Sequence, residues 1–451
     1  MPELYAKLKD NWMLRGWSDY PYALVNWVTG ELKELTALGF YNASFCNGQA
    51  DFHSIAFLPQ HRAVLEQFFK EGLAEPCPHG ELLQPYQRYR TASNPLIRSI
   101  QWSITGYCNL QCRHCYMKAP EGYYGELPFE TMTAIIDQLK EANIFSIALT
   151  GGEPFIRKEF LTIMELLTES YIGIHQIYTN ATLITETHLQ MIRRLGLSPA
   201  FIVSFDGCGT HDRMRGLPGC ENRVVDTIKM LRAYHFKVSV TTVIDRDGIA
   251  SLDATYNLMK NLDVSGWRIG TAADLGNWRG SSTALSLEEM VIPLAKLYQR
   301  WVNDGKPFYI KLAGFFSGSK NSAHETDFQY TPENFDCDAC REKPSLQPDG
   351  TLVACPLYVD TVLYPQMPNI VKETLSSAWT NSFLREFTEQ RKTVRLKDNP
   401  ECISCPLFKK CGMGCRASAV SKTGNPRAKD PVACMLWKDG YLDRFHQLTG
   451  E

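Results

Sequence analysis

The chain has 451 residues, 44% apolar and 21% charged, with a formal net charge of −2. This composition fits a globular protein of roughly two to four domains and carries none of the charge blocks that mark nucleic-acid or anionic-membrane binding. The amphipathic start "MPELYAKLKDNWMLRGW" lacks a secretory apolar core and no apolar run is long enough to span a bilayer, so a cytoplasmic chain with no nucleic-acid and no membrane partner is expected. Its 15 cysteines therefore point to metal binding or catalysis rather than disulfides.

In chain order, residues 1–92 open with "YALVNWV-TG-ELKEL", a strand pair around the Thr29-Gly30 turn with apolar residues alternating on either side. Helical stretches are expected at 36–47 and 60–74, giving a small winged-helix domain. Residues 97–310 alternate apolar β-rich runs with amphipathic helical segments. The runs are "RSIQWSIT", "IFSIALT", "GIHQIYTN", "AFIVSFD", "KVSVTTVID" and "VSGWRIGTA"; the helical segments include "PFETMTAIIDQLKEA" and "SLEEMVIPLAKLYQRWV". Strand then helix, repeated about six times, predicts a parallel α/β sheet with its ligands beyond the C-terminal strand ends. The pattern itself fits an open sheet or a partial barrel. Residues 330–451 are irregular and rich in Cys, Pro and Gly, a segment that metal ligation can hold together where apolar burial is insufficient.

Eleven of the cysteines fall in two groups, 108–115 and 337–434. Cys108, Cys112 and Cys115, spaced C-x3-C-x2-C, follow the first barrel run, where such a sheet places its chemistry. Three thiolates leave one position of a four-ligand site open. A zinc loop is the plainer alternative, since thiolates bind both zinc and iron–sulfur clusters.

The C-x3-C-x2-C loop after a first strand resembles the signature of radical S-adenosylmethionine (SAM) enzymes. That resemblance implies a partial (β/α)6 TIM-like barrel and a [4Fe–4S] cluster whose free iron binds SAM. It also implies release of a 5′-deoxyadenosyl radical that abstracts hydrogen, with electrons from an external donor such as a flavodoxin or ferredoxin. His114 holds the ring-bearing place before the last cysteine. "GGE" at Gly151, Gly152 and Glu153 matches the family's SAM amino-group site. Asn180, Ser204 and Asp206 at later strand ends, with Arg215, match ribose and carboxylate contacts. Each is also an ordinary turn residue.

The second group is similar to the SPASM extension, which carries two auxiliary [4Fe–4S] clusters, three clusters in all. Carried over, Cys402, Cys405, Cys411 and Cys434 hold the outer cluster, and Cys340, Cys355 and Cys415 the inner one. Either Cys337 is the fourth inner ligand or that cluster keeps an open iron for a substrate thiol. A pair of zinc knuckles is the alternative. Cys46, Cys77, Cys208 and Cys220 read as small buried hydrophobes.

The segment "VNWVTGELKELTALGFYNASFCNG" is similar to the recognition element of ribosomal-peptide maturases, which binds a leader peptide as an added strand. A structural cap or dimerisation domain is the plainer reading. Where anaerobic sulfatase-maturating enzymes carry an aspartate base after the cysteine matching Cys355, this chain has Pro356; the nearest acid is Asp360. The sequence thus points to a sactipeptide-synthase-like maturase that joins a cysteine sulfur to a peptide carbon. Carbon–carbon cross-linking and epimerisation are alternatives, sulfatase maturation is a weaker one, and a multi-cluster electron carrier is the non-enzyme reading. No general base is identifiable.

Overall fold

The computed structural model describes residues 3–319 and 328–450. The N-terminal region starts with β1 (Tyr5–Leu8), β2 (Trp12–Gly16), β3 (Ala23–Asn26) and β4 (Leu32–Glu34), then helices α1 (Ala37–Phe45) and α2 (Pro59–Glu71), then β5 (Ala74–Cys77) and β6 (Arg90–Thr91). β3 and β4 are the expected strand pair around Thr29-Gly30, and the sheet gains β2 and β6 beside them, in the order β4-β3-β2-β6. β1 instead pairs with β5. The first helix begins on Thr36, whose hydroxyl accepts the Gly39 amide, a side-chain N-cap. This region packs its own core around Leu14, Leu24, Phe52, Leu65 and Phe68.

The centre is a mixed α/β barrel sheet. Strands β7 (Ile100–Ser103), β8 (Ser146–Thr150), β9 (Gly173–Thr179), β10 (Ala200–Ser204), β11 (Val238–Val243), β12 (Gly266–Gly270) and β13 (Tyr309–Leu312) run parallel, each beside the next in sequence. The six predicted runs all become strands, with β13 added as a seventh parallel member. A boundary at 310 therefore cuts through β13, and an antiparallel strand β14 (Phe316–Gly318) continues the sheet.

The helices between them include α3 (Phe129–Glu141), α4 (Phe160–Glu169), α5 (Glu186–Arg194), α6 (His211–Arg215), α7 (Cys220–Ala233), α8 (Leu252–Asn261) and α9 (Leu287–Asn303). α3 buries Met132, Ile135, Ile136 and Leu139, the i, i+3, i+4, i+7 stripe that its period predicts. α9 opens on a capping box in which Ser286 and Glu289 satisfy each other's backbone N–H.

The C-terminal segment joins the other sheet edge: β15 (Ser345–Leu346) pairs parallel to β7, and its hairpin partner β16 (Leu352–Val353) lies outside it. The rest is short helices, none longer than nine residues among the described ones, such as Arg416–Thr423 and Tyr441–Thr449. A buried ion cluster binds them: the Asp336 carboxylate lies 2.9 Å from Arg395, 3.7 Å from Arg416 and 3.8 Å from Lys392. Among the described residues no helix is long and apolar enough to cross a membrane.

Candidate functional site

Beyond the C-terminal ends of β7–β11 lies a cavity of about 380 Å³. Its wall includes Cys108, Cys112, Cys115 and His114 from the loop after β7, Gly151 and Gly152 after β8, Asn180 after β9, Ser204 at the end of β10, and Arg215 on α6. Residues far apart in sequence therefore meet where a parallel sheet collects its ligands.

The cysteine loop is pinned on three sides. Gly152 donates its amide to Thr105 O and Glu153 donates to Tyr107 O. A Cβ on Gly152 would stand 2.2 Å from Tyr107 O, so only glycine allows this approach. The Arg113 amide bonds Met214 O, and the Asn277 amide, from the loop after β12, bonds Cys115 O. Asn180 Nδ2 donates to Asn109 Oδ1 at 2.9 Å and lies 3.7 Å from Cys108 Sγ. Burial pushes the Cys108 thiol up to about 12 and raises that of Cys112, which the adjacent Arg215 opposes. Ligating a metal there releases protons and places negative sulfur beside a fixed cation.

Two expected contacts do not face the cavity. The Glu153 side chain is turned into the wall, where it accepts from the Thr179 hydroxyl (2.8 Å) and the Asn180 amide (2.7 Å). Burial raises its pKa to about 7, against those hydrogen bonds. Its role is to fix the end of β9, so only the Gly151–Gly152 backbone is presented to a ligand. Asp206 is likewise buried behind the wall in a two-pronged ion pair with Arg215 (2.7 and 3.0 Å) and accepts the Val243 amide. Burial opposes its ionisation, but Arg215 wins and holds its pKa low. A carboxylate and a guanidinium expected to bind separate ligand groups are thus spent on each other, while Arg215 still reaches the cavity. His114 has a buried Nδ1 without a hydrogen-bond partner, and burial lowers its pKa to about 4. Three thiols, backbone acceptors at a double glycine and an unpartnered imidazole nitrogen around a nucleoside-sized cavity fit an iron–sulfur cluster with SAM.

The later cysteines also assemble. Cys402, Cys405, Cys411 and Cys434 line one small pocket with Phe408, Met413 and Trp437. Cys340 is buried close to both Cys337 and Cys355, and Cys415 lies within electrostatic reach of Cys355. Cys337 is therefore gathered with Cys340 and Cys355. Among the described residues no three His, Cys, Asp or Glu side chains converge on a single metal ion. Of the other cysteines, Cys46 and Cys220 are buried as expected, while Cys77 and Cys208 are only half-buried.

Pro356 lines the SAM-type cavity directly after Cys355. Asp360 is no free base: its carboxylate accepts the Gly276 amide and pairs with Arg279, both at 3.0 Å. It borders a second opening of about 730 Å³, with Tyr123, Tyr124, Asp349 and Tyr364, between barrel loops and the C-terminal segment. Sequence reading passed over Tyr116 and Tyr178, which also line the first cavity. Tyr178 was legible as a polar residue inside a strand of a parallel sheet, where strands are otherwise nearly all apolar.

A partial barrel with a three-cysteine loop at its mouth and two further cysteine sets defines a SAM-cleaving iron–sulfur enzyme. The model of the Radical SAM superfamily matches residues 102–259, and that of an iron–sulfur cluster-binding domain, SPASM, matches 337–406. The protein is a radical SAM superfamily enzyme with a SPASM domain. It is similar to the AdoMet-dependent heme synthase of Nitratidesulfovibrio vulgaris, 26% identical over 80% of this chain and 96% of that one. It is also similar to the PqqA peptide cyclase of Gluconobacter oxydans, 24% identical over 77% of this chain and 93% of that one. Streptococcus suis SuiB, solved bound to its precursor peptide SuiA, shares the fold at a TM-score of 0.65 and 13% identity, covering 95% of this chain and 99% of SuiB.

Proposed function

We propose that the protein installs an oxidative cross-link, a bond from cysteine sulfur to a peptide carbon, in a ribosomally made precursor whose leader binds the N-terminal region. The observation that carries this reading is the free edge of the N-terminal sheet. β4 is the last strand of its sheet, with no strand on its other side among the described residues. Leu35 N–H bonds Tyr22 O and Glu31 O accepts from Asn26, so Glu31, Lys33 and Leu35 face β3 while the backbone groups of Leu32 and Glu34 face outward. An extended leader can add there as a further strand.

When bound, SAM and its cluster supply a hydrogen-abstracting radical. Joining one sulfur to one carbon removes two hydrogens: one leaves carbon as an atom and ends in 5′-deoxyadenosine. The other would leave the thiol as a proton, its electron going to an auxiliary cluster. Cys337, Cys340, Cys355 and Cys415 would hold the inner cluster, and ligation by four thiolates would suit it to take up that electron rather than to hold the substrate. An external ferredoxin or flavodoxin replaces the electron spent on SAM.

The test is anaerobic co-expression with a short precursor peptide encoded beside the gene, read by mass before and after thiol alkylation. Loss of two hydrogens with a cysteine that no longer alkylates supports the thioether. The same loss with all thiols free means a carbon–carbon bond, and a mass unchanged in ordinary water that rises by deuterium uptake in heavy water means epimerisation. Glu34→Pro, which removes an outward N–H and no ladder bond, should abolish modification while leaving SAM cleavage intact. The resemblance to heme synthases favours a second reading, a tetrapyrrole substrate; conversion of iron coproporphyrin III with the peptide untouched would establish it.

A further inference from the structure

The barrel lumen contains a cation that the SAM site does not use. Strand alternation turns Trp267 and Ile269 of β12 outward into the helix layer, where both are buried, and turns Arg268 inward. Tyr178 on β9 also points inward and lines the cysteine cavity. β9 and β12 are three places apart in the sheet, yet the Arg268 guanidinium lies within electrostatic reach of the Tyr178 side chain. The guanidinium therefore reaches across toward β9, behind the Tyr178 side of the cavity wall.

Its surroundings are polar but hold no anion. The Tyr178 hydroxyl donates to Gln176 Oε1 at 3.1 Å. Thr241, Arg268's register partner on β11, lines the cavity, and the partner on β13 is Lys311, a second cation. Like charges side by side across a strand pair are unfavourable. Among the described residues no carboxylate lies within ion-pair distance of Arg268, whereas the neighbouring Arg213 and Arg215 each have an aspartate. A half-buried guanidinium fork, next to a like charge and backing on Tyr178 and Thr241 of the cavity wall, is suited to a carboxylate that reaches past them with the substrate.

We propose that Arg268, with the Tyr178 hydroxyl beside it, anchors a carboxylate of the substrate at the Tyr178 side of the cavity, close to the carbon that loses hydrogen. The inference rests on the proposed peptide function, and the carboxylate is then an Asp or Glu side chain, or the C-terminus, near the modified residue. The same chemistry would hold a propionate arm of a porphyrin.

The test uses the cluster-loaded full chain, the co-encoded precursor peptide and iron coproporphyrin III as probes. Arg268→Gln should lower kcat/KM for the peptide about thirtyfold or more, mainly through KM. SAM affinity and peptide-independent 5′-deoxyadenosine release should stay at wild-type levels, which also shows that the variant is folded. Arg268→Lys should recover part of the loss. One acid-to-amide change in the peptide should reproduce the loss in the wild type and add nothing in Arg268→Gln. Peptide turnover by Arg268→Gln at the wild-type rate overturns the proposal. So does a parallel loss of SAM affinity, which would assign the guanidinium to the carboxylate of SAM. If the wild type ignores the peptide and consumes the porphyrin, the peptide function falls. The anchor then stands if Arg268→Gln slows porphyrin turnover and falls if it does not.

Discussion

Replacing Arg395 with methionine tests whether the buried ion cluster holds the cysteine-rich segment together. Arg395 is completely buried. It bonds Asp336 Oδ1 at 2.9 Å and the carbonyls of Met413 and Ala428 at 3.2 and 2.7 Å. Met413 lies between Cys411 and Cys415, so the guanidinium ties down the loop that carries these two cysteines. Methionine fills much of the volume and supplies no donor. Breaking one side of a buried ion pair costs about 3–5 kcal/mol. Asp336 keeps Lys392 and Arg416 at 3.8 and 3.7 Å, which places the expected cost near the lower end, about 3 kcal/mol. Hydrogen exchange of the anaerobic, cluster-loaded protein reads this locally. Amides in 411–430 should exchange on the order of a hundredfold faster, while those of β8 stay unchanged. Exchange in 411–430 within about threefold of wild type would refute the reasoning.

Three further outcomes follow from the site. Cys337→Ala should leave the inner cluster with one non-thiolate iron, visible by Mössbauer spectroscopy as a distinct site; such an iron already present in the wild type would contradict the four-thiol set. Gly152→Ala puts a methyl group into Tyr107 O and should cost the SAM cluster and SAM cleavage while the auxiliary clusters still assemble, seen as a partial loss of iron. His175, half-buried against Gly30, has its pKa lowered by desolvation to about 4 from an ordinary 6.5. Its neutral form supports folding fully above pH 6.5, and that support fades as pH falls toward 4, by up to about 3 kcal/mol before any allowance for residual solvent. The acid sensitivity of melting should therefore shrink in His175→Gln between those pH values, and an unchanged profile would remove His175 from the account.

The parallel strands were legible because burial on both faces leaves long apolar runs such as "SIALT", with all five residues buried. The seventh strand and the β15–β16 hairpin were not, since two to four residues carry too little pattern and their place depends on partners far along the chain. The cysteine sets could be read from spacing because ligand geometry restricts the spacing itself. The inward turn of Glu153 and Asp206 could not, because each depends on partners, Asn180 and Val243, that lie 27 and 37 residues away. Arg268 was within reach: in "VSGWRIGTA" it is a charged residue inside a run expected to be buried on both faces.

The most direct test of the central claim is anaerobic incubation of the cluster-loaded protein with SAM, a reductant and the co-encoded precursor peptide, measuring 5′-deoxyadenosine and peptide mass together. The account predicts one 5′-deoxyadenosine for each two-hydrogen loss from the peptide, with one fewer alkylatable thiol. Release of 5′-deoxyadenosine with a peptide unchanged in mass and free of deuterium from heavy water would contradict it.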